Sequence, residues 1–132
     1  MIIRLTTEQT GGAFAMIEMH HPPAVGPALH VHPRGPEAFY VLEGHYTFFR
    51  GEEVIPASVG DGVVIPAGVP HRYRVGPTGG RALVITPPGL ERYFRTIAGR
   101  LASGPVPPPK EFAIAASEGQ NFLDHAGHWE PL

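Results

Sequence analysis

The chain contains no cysteine. Disulfides, thiolate metal centres and a cysteine nucleophile are therefore excluded. Charge is also scarce. Only 17% of residues carry it, and the two signs nearly cancel at −2, with a pI near 6.4. Such a balance offers no field to hold nucleic acid or an anionic membrane surface. No apolar run approaches the roughly 20 residues of a membrane span. The opening MIIRLTTEQT lacks both the apolar stretch and the cleavage site of a secretory signal. The expected location is the cytoplasm, with neither nucleic acid nor membrane as a partner.

What is abundant is glycine, 17 residues, and proline, 16, together a quarter of the 132 residues. Hydrophobic residues still make up 42%, too many for a disordered chain. This length suits one domain. Many breakers with an adequate apolar share predict short strands joined by tight turns. Eight histidines stand out in so short a chain.

Strand signals fall at 2–5, 13–20 and 28–32, and again near 53–55 and at 62–65. Residues 37–43 and 45–50 flank Gly44 and read as a hairpin; 70–75 and 81–86 read as two further strands. Turn signals recur every 8–12 residues, the spacing of an antiparallel sandwich or barrel. The period then changes. Leu90, Tyr93, Phe94, Ile97 and Leu101 recur at helical spacing; Leu90, Tyr93, Phe94 and Ile97 form a face that docks on the barrel or a partner chain, with Arg92, Arg95 and Arg100 on the solvated side. Residues 104–109 read as an extended linker and 110–118 as a short helix. The organisation is thus a β-barrel over 1–89 and a helical extension over 90–132 packed on it, within one domain.

His30 and His32 lie two residues apart, which on a strand puts both imidazoles on one face. The turn PRGP returns Glu37 to the same space, and Pro66 and Gly68 bracket a turn that delivers His71. Three imidazoles and a carboxylate suit iron, manganese, nickel, cobalt, copper or zinc. By alternation Phe39 and Val41 share the face of Glu37, and Tyr73 that of His71. All three are candidates for the pocket, Tyr73 the better one because a buried hydroxyl needs a partner. His20 and His21 read as an exposed loop end, with a place on the pocket rim as the alternative. His45 reads as solvated, and His125 and His128, near Asp124 and Glu130, as part of a polar tail.

The blocks GPALHVHPRGPEAFYVLEG (26–44) and GDGVVIPAGVPH (60–71) resemble the two motifs of the cupin superfamily. The first has HxH, a gap of four, Glu, a gap of six and Gly. The second has Gly, a gap of five, Pro-x-Gly and His. Ala24 stands where the family pattern opens with Gly, a place Gly26 is expected to take, and Val75 where Asn is common. The resemblance implies an all-β double-stranded β-helix, or jelly roll, with a short helical C-terminal extension. It implies that His30, His32, Glu37 and His71 hold one divalent transition metal inside the barrel. Among cupins the chain is similar to small quercetin dioxygenase-like proteins. The implied activity is a metal-dependent dioxygenase acting on a small enolic or phenolic molecule, with Glu37 taking a proton. A non-catalytic module that binds a small molecule or metal is the alternative. A sugar or keto-acid isomerase ranks third, because Arg50, Arg72 and Arg74 are too scattered to receive an anionic substrate. The aliphatic N-terminal strand and the family habit imply a homodimer.

Overall fold

A computed structural model describes residues 1–123 and 130–131. The strands run in the order β1 (Ile2–Leu5), β2 (Ala15–His21), β3 (Val25–Gly26), β4 (His30–Val31), β5 (Glu37–Arg50), β6 (Glu53–Ala57), β7 (Gly62–Ile65) and β8 (His71–Thr86). Two helices, α1 (Leu90–Leu101) and α2 (Pro108–Ser117), precede β9 (Asn121–Phe122) and β10 (Glu130–Pro131). Helix α2 begins at Pro108, inside the stretch read as linker. Among the described residues, no helix is long and apolar enough to cross a membrane.

Strands β5 and β8 organise the barrel. They pair antiparallel along nearly their whole length, from Ala38 opposite Ile85 to Arg50 opposite His71. Their first and second halves belong to different layers. One layer runs β1–β2–β8–β5–β7 and the other β9–β4–β8–β5–β6. Both strands change phase where they cross between layers. Glu37, Phe39 and Val41 are buried, then Tyr46 and Phe48; His71, Tyr73 and Val75 are buried, then Ala82, Val84 and Thr86. An odd-to-even switch needs a bulge, and the register shifts between Val41 and Glu43 and between Gly44 and Tyr46.

Two expectations are corrected here. Gly44 does not turn a hairpin, and 70–75 and 81–86 are not separate strands. Gly44 lies inside β5 with φ 78, directly opposite Gly80. A Cβ at Gly44 would run into the carbonyl oxygen of Gly79, so both chains are glycine where they cross closely. A glycine between two strand runs marks a bulge as readily as a turn. The choice depends on the partner strand, which here lies more than thirty residues away in sequence.

The core lies between the layers, with Ile17, Val41, Tyr46, Phe48, Val75 and Val84 among its buried members. The C-terminal extension has its own apolar cluster of Leu90, Tyr93, Ile97 and Ala115. A polar clamp docks α1 on the barrel. Glu91, 1% exposed, accepts hydrogen bonds from the Thr7 backbone N–H and hydroxyl, both at 2.9 Å. The Gly89 N–H donates in turn to the Thr7 hydroxyl at 2.9 Å. On the outer side of α1, Arg92 pairs with Glu8.

Candidate metal centre

His30 is on β4, His32 just beyond it, and Glu37 and His71 are the first residues of β5 and β8. The pairing of His30 with His71 across β4 and β8 brings the two sequence blocks together. The turn before His71 is tied to the first block as well, since the Gly68 N–H donates to the His32 carbonyl at 3.0 Å. Gly68 takes φ 76 to make that turn, a conformation favoured for glycine. All four side chains are buried. One ligand atom from each lies within 4.8 Å of the other three.

The hydrogen bonds orient the imidazoles. His30 Nδ1 is 2.7 Å from the Ala28 carbonyl and His71 Nδ1 is 2.9 Å from the Val69 carbonyl. A carbonyl only accepts, so both Nδ1 atoms carry the proton. In the neutral ring that leaves Nε2 with a lone pair, as metal ligation requires. Burial, with the neighbouring His71 and His32, holds the pKa of His30 down to about 3. It is therefore neutral over the physiological range.

Glu37 faces this cluster. Its Oε1 lies 3.2 Å from His71 Nε2 and 3.5 Å from His32 Nε2. Burial pushes the Glu37 pKa up, but the His32 and His71 rings outweigh it and hold it well below the usual carboxylate range. With its proton on Nδ1, a neutral His71 would point an Nε2 lone pair at a carboxylate oxygen 3.2 Å away. Only a cation between them, or a second proton on the ring, removes that repulsion. His32 adds an independent sign: both its ring nitrogens are buried with no hydrogen-bond partner. An orphaned buried donor or acceptor costs about 1–3 kcal/mol, a penalty that ligation of a cation would relieve. The donor set fits a borderline divalent metal.

The pocket candidates divide. Phe39 and Tyr73 line a cavity of about 20 Å³ beside His30 and Glu37. Val41 is not among its lining residues; fully buried, it belongs to the core. Arg34, two residues after His32, and Arg72, next to His71, engage other groups. Arg72 covers the ring of Phe49, and Arg34 donates to the Ser117 carbonyl.

His21 corrects a further expectation. It is the last residue of β2, not an exposed loop end, and it is buried. Its Nδ1 lies 2.6 Å from the Tyr46 hydroxyl and its Nε2 3.2 Å from that of Tyr73. Burial above all lowers its pKa to about 4. His20, next to it, points outward toward Glu18 at 3.1 Å, and His45 is exposed. His125, His128 and Asp124 lie outside the described residues, as does the Glu130 side chain. Ala24 holds φ 56. It occupies a backbone conformation favoured for glycine, whereas Gly26 is not among the glycines at positive φ. Sequence reasoning missed Glu111 and Gln120, which line the same cavity from the C-terminal extension. No motif marks them, because only the docking of α2 brings them there.

Comparisons with known proteins agree with this geometry. Over 91 residues the chain is 31% identical to quercetin 2,3-dioxygenase of Bacillus subtilis (strain 168), covering 68% of this chain and 27% of that protein. It thus spans about a quarter of that relative's length. The structure of a cupin-like protein from Thermotoga maritima superposes with a TM-score of 0.59 at 22% identity, over 64% of this chain and 65% of that one. The DMSP lyase of Ruegeria pomeroyi superposes with a TM-score of 0.52 at 29% identity, over 60% of this chain and 40% of that one. Residues 17–86 match the model of the cupin domain. With that match spanning both motif blocks and most of the barrel, the chain belongs to the cupin family.

Proposed function

We propose that this protein is a metal-dependent oxygenase of the dioxygenase type, acting on a small enolic or phenolic molecule. The observation that carries the metal reading is the convergence of three buried imidazoles on one buried carboxylate, with His71 Nε2 3.2 Å from Glu37 Oε1. The oxygenase reading is supported by the curated relative's activity and remains specific to that resemblance, since one fold hosts many chemistries. His30, His32, Glu37 and His71 hold one divalent transition metal. Bound there, iron, manganese, nickel or copper supplies Lewis acidity and one-electron redox chemistry toward O₂, with zinc or cobalt as further occupants of the same donor set. Four protein ligands leave open coordination positions, as a catalytic site requires.

The chain's own residues do the rest. Glu37, ionised at neutral pH, accepts the proton of the substrate hydroxyl. Phe39 excludes water from one wall, and the Tyr73 hydroxyl, fixed by His21, orients the substrate oxygen. A homodimer is part of the proposal. The outer face of one layer carries the apolar row Val64, Ala38, Ile85 and Met16, and Val64 and Ile85 are exposed at 49% and 37%.

A second reading, metal or ligand binding without turnover, draws on the small cavity, which holds about one water molecule. The isomerase reading loses ground. Arg50 pairs with Glu53 and Arg72 with Phe49, and among the described residues no arginine or lysine lines the cavity.

The decisive experiment is elemental analysis of the purified protein beside His71→Ala and Glu37→Ala, followed by oxygen uptake with a panel of enolic and phenolic substrates. About one metal per chain in the wild type and strong loss in both variants is expected. Equal metal in all three removes the site. No turnover with any redox metal restored, together with retained ligand binding, favours the second reading over the oxygenase.

A further inference from the structure

The family match ends at residue 86, yet one wall of the cavity beside the metal centre is built from residues beyond it, among them Tyr93, Gln120 and Phe122. Gln120 is the unusual member of this wall. Glutamine is mostly an exposed residue, and this one is 4% exposed. A buried amide is normally hydrogen-bonded. Among the described residues no group hydrogen-bonds the Gln120 side chain, and its polar atoms are not sealed in as those of His32 are. The amide therefore opens on the cavity that it lines with His30 and Glu37.

Its backbone is fixed from both sides. Gly119 follows α2 with φ 82, and a Cβ there would press on the Arg34 side chain. The Gln120 N–H donates to the Ala115 carbonyl at 2.9 Å. Immediately after it β9 pairs with β4, Asn121 opposite Val31 and Phe122 opposite His30. Gln120 is thus held beside the strand that carries His30. An amide placed by a fixed backbone at the edge of a cavity, and left without a protein partner, is arranged to meet a ligand.

We propose that Gln120 is the specificity-determining contact of this site, and that it takes a neutral molecule with a hydrogen-bond donor next to an acceptor, as in an enolic hydroxyl beside a carbonyl. The inference rests on the reading of this cavity as the ligand pocket of the metal centre and narrows its substrate class. The amide offers an N–H donor and a carbonyl acceptor side by side. A molecule with the complementary pair satisfies both. A simple phenol has one oxygen and meets one end. A carbonyl with no donor beside it leaves the amide oxygen unpaired. A site built to hydrogen-bond its ligand rejects analogues that leave its buried polar groups unmatched. A six-membered ring needs more room than about 20 Å³, so binding displaces part of the C-terminal wall.

The test is calorimetric titration of the purified full chain with two neutral probes. The first, α-pyridone, presents an N–H beside a carbonyl in one plane. The second, N-methyl-α-pyridone, keeps the ring and the carbonyl and lacks the donor. Wild type is expected to bind α-pyridone about tenfold more tightly than the methylated ring. In Gln120→Met and Gln120→Leu, which keep the bulk and lack the amide, the preference is expected to shrink to within about twofold. Thermal melts check that each variant is folded, and the wild-type comparison needs no variant. Equal affinity for the two probes in wild type overturns the proposal, as does failure of α-pyridone to bind. A preference that persists in a folded variant is steric and overturns it too. Elemental analysis of the same samples reports separately on the metal. Should the protein hold none, the metal reading falls, while a preference abolished by the Gln120 variants still upholds the role of the amide.

Discussion

His21 lends itself to a quantitative test. The neutral ring lies between the hydroxyls of Tyr46 and Tyr73, and burial lowers its pKa from 6.5 to about 4. In the unfolded chain the same side chain titrates near its ordinary value. Between pH 6.5 and about 4 the unfolded state therefore binds a proton that the native state refuses. Stability falls as pH falls through this window, and the contribution is fully present above it. A pKa drop from 6.5 to about 4, at about 1.4 kcal/mol for each pH unit, amounts to ~3 kcal/mol. His21→Gln removes the titration and keeps a donor and an acceptor. Urea unfolding of metal-stripped wild type and variant, at intervals from pH 4.5 to 7.5, isolates the effect, because His30 contributes equally to both. The wild-type curve is expected to fall more steeply by about 1.4 kcal/mol per pH unit below pH 6. At pH 7 the variant is expected to be less stable by about 1–3 kcal/mol, from imperfect satisfaction of the two hydroxyls. Parallel curves would refute the claim that His21 is held neutral by burial.

Three further outcomes follow from backbone and surface. Ala24→Gly relieves a left-handed alanine, a conformation costing about 1–2 kcal/mol, partly offset by the greater freedom of an unfolded glycine. The melting temperature is expected to rise by about 2–4 °C; no rise contradicts the strain. Gly44→Ala forces φ 78 on an alanine and presses its methyl on the Gly79 carbonyl. A loss above about 2 kcal/mol in urea unfolding is expected, and an unchanged midpoint would mean the crossing is not close. Ile85→Glu puts a charge in the exposed apolar row. Light scattering should show a dimer for the wild type and a monomer for the variant, and a monomeric wild type removes the dimer from the proposal.

Much of this protein is determined locally. The His-x-His spacing, the PRGP turn before Glu37 and the Pro-x-Gly turn before His71 each constrain a few dihedrals, and that local geometry aims three imidazoles and a carboxylate. The stripe from Leu90 to Ile97 declares its helix because a helical period needs no partner to be legible. What a distant strand must supply was not legible. Gly44 is a bulge because β8 crosses it with Gly79 and Gly80. His21 is buried because Tyr46 and Tyr73, 25 and 52 residues away in sequence, converge on it. Glu111 borders the cavity beside His30 and Glu37 from α2, which lies between the Thr7–Glu91 clamp and the pairing of β9 with β4. Spacing within a turn is encoded by neighbouring residues. Burial, and the chemistry that burial confers on a histidine or a carboxylate, depends on which remote surfaces meet, and only the tertiary structure decides that.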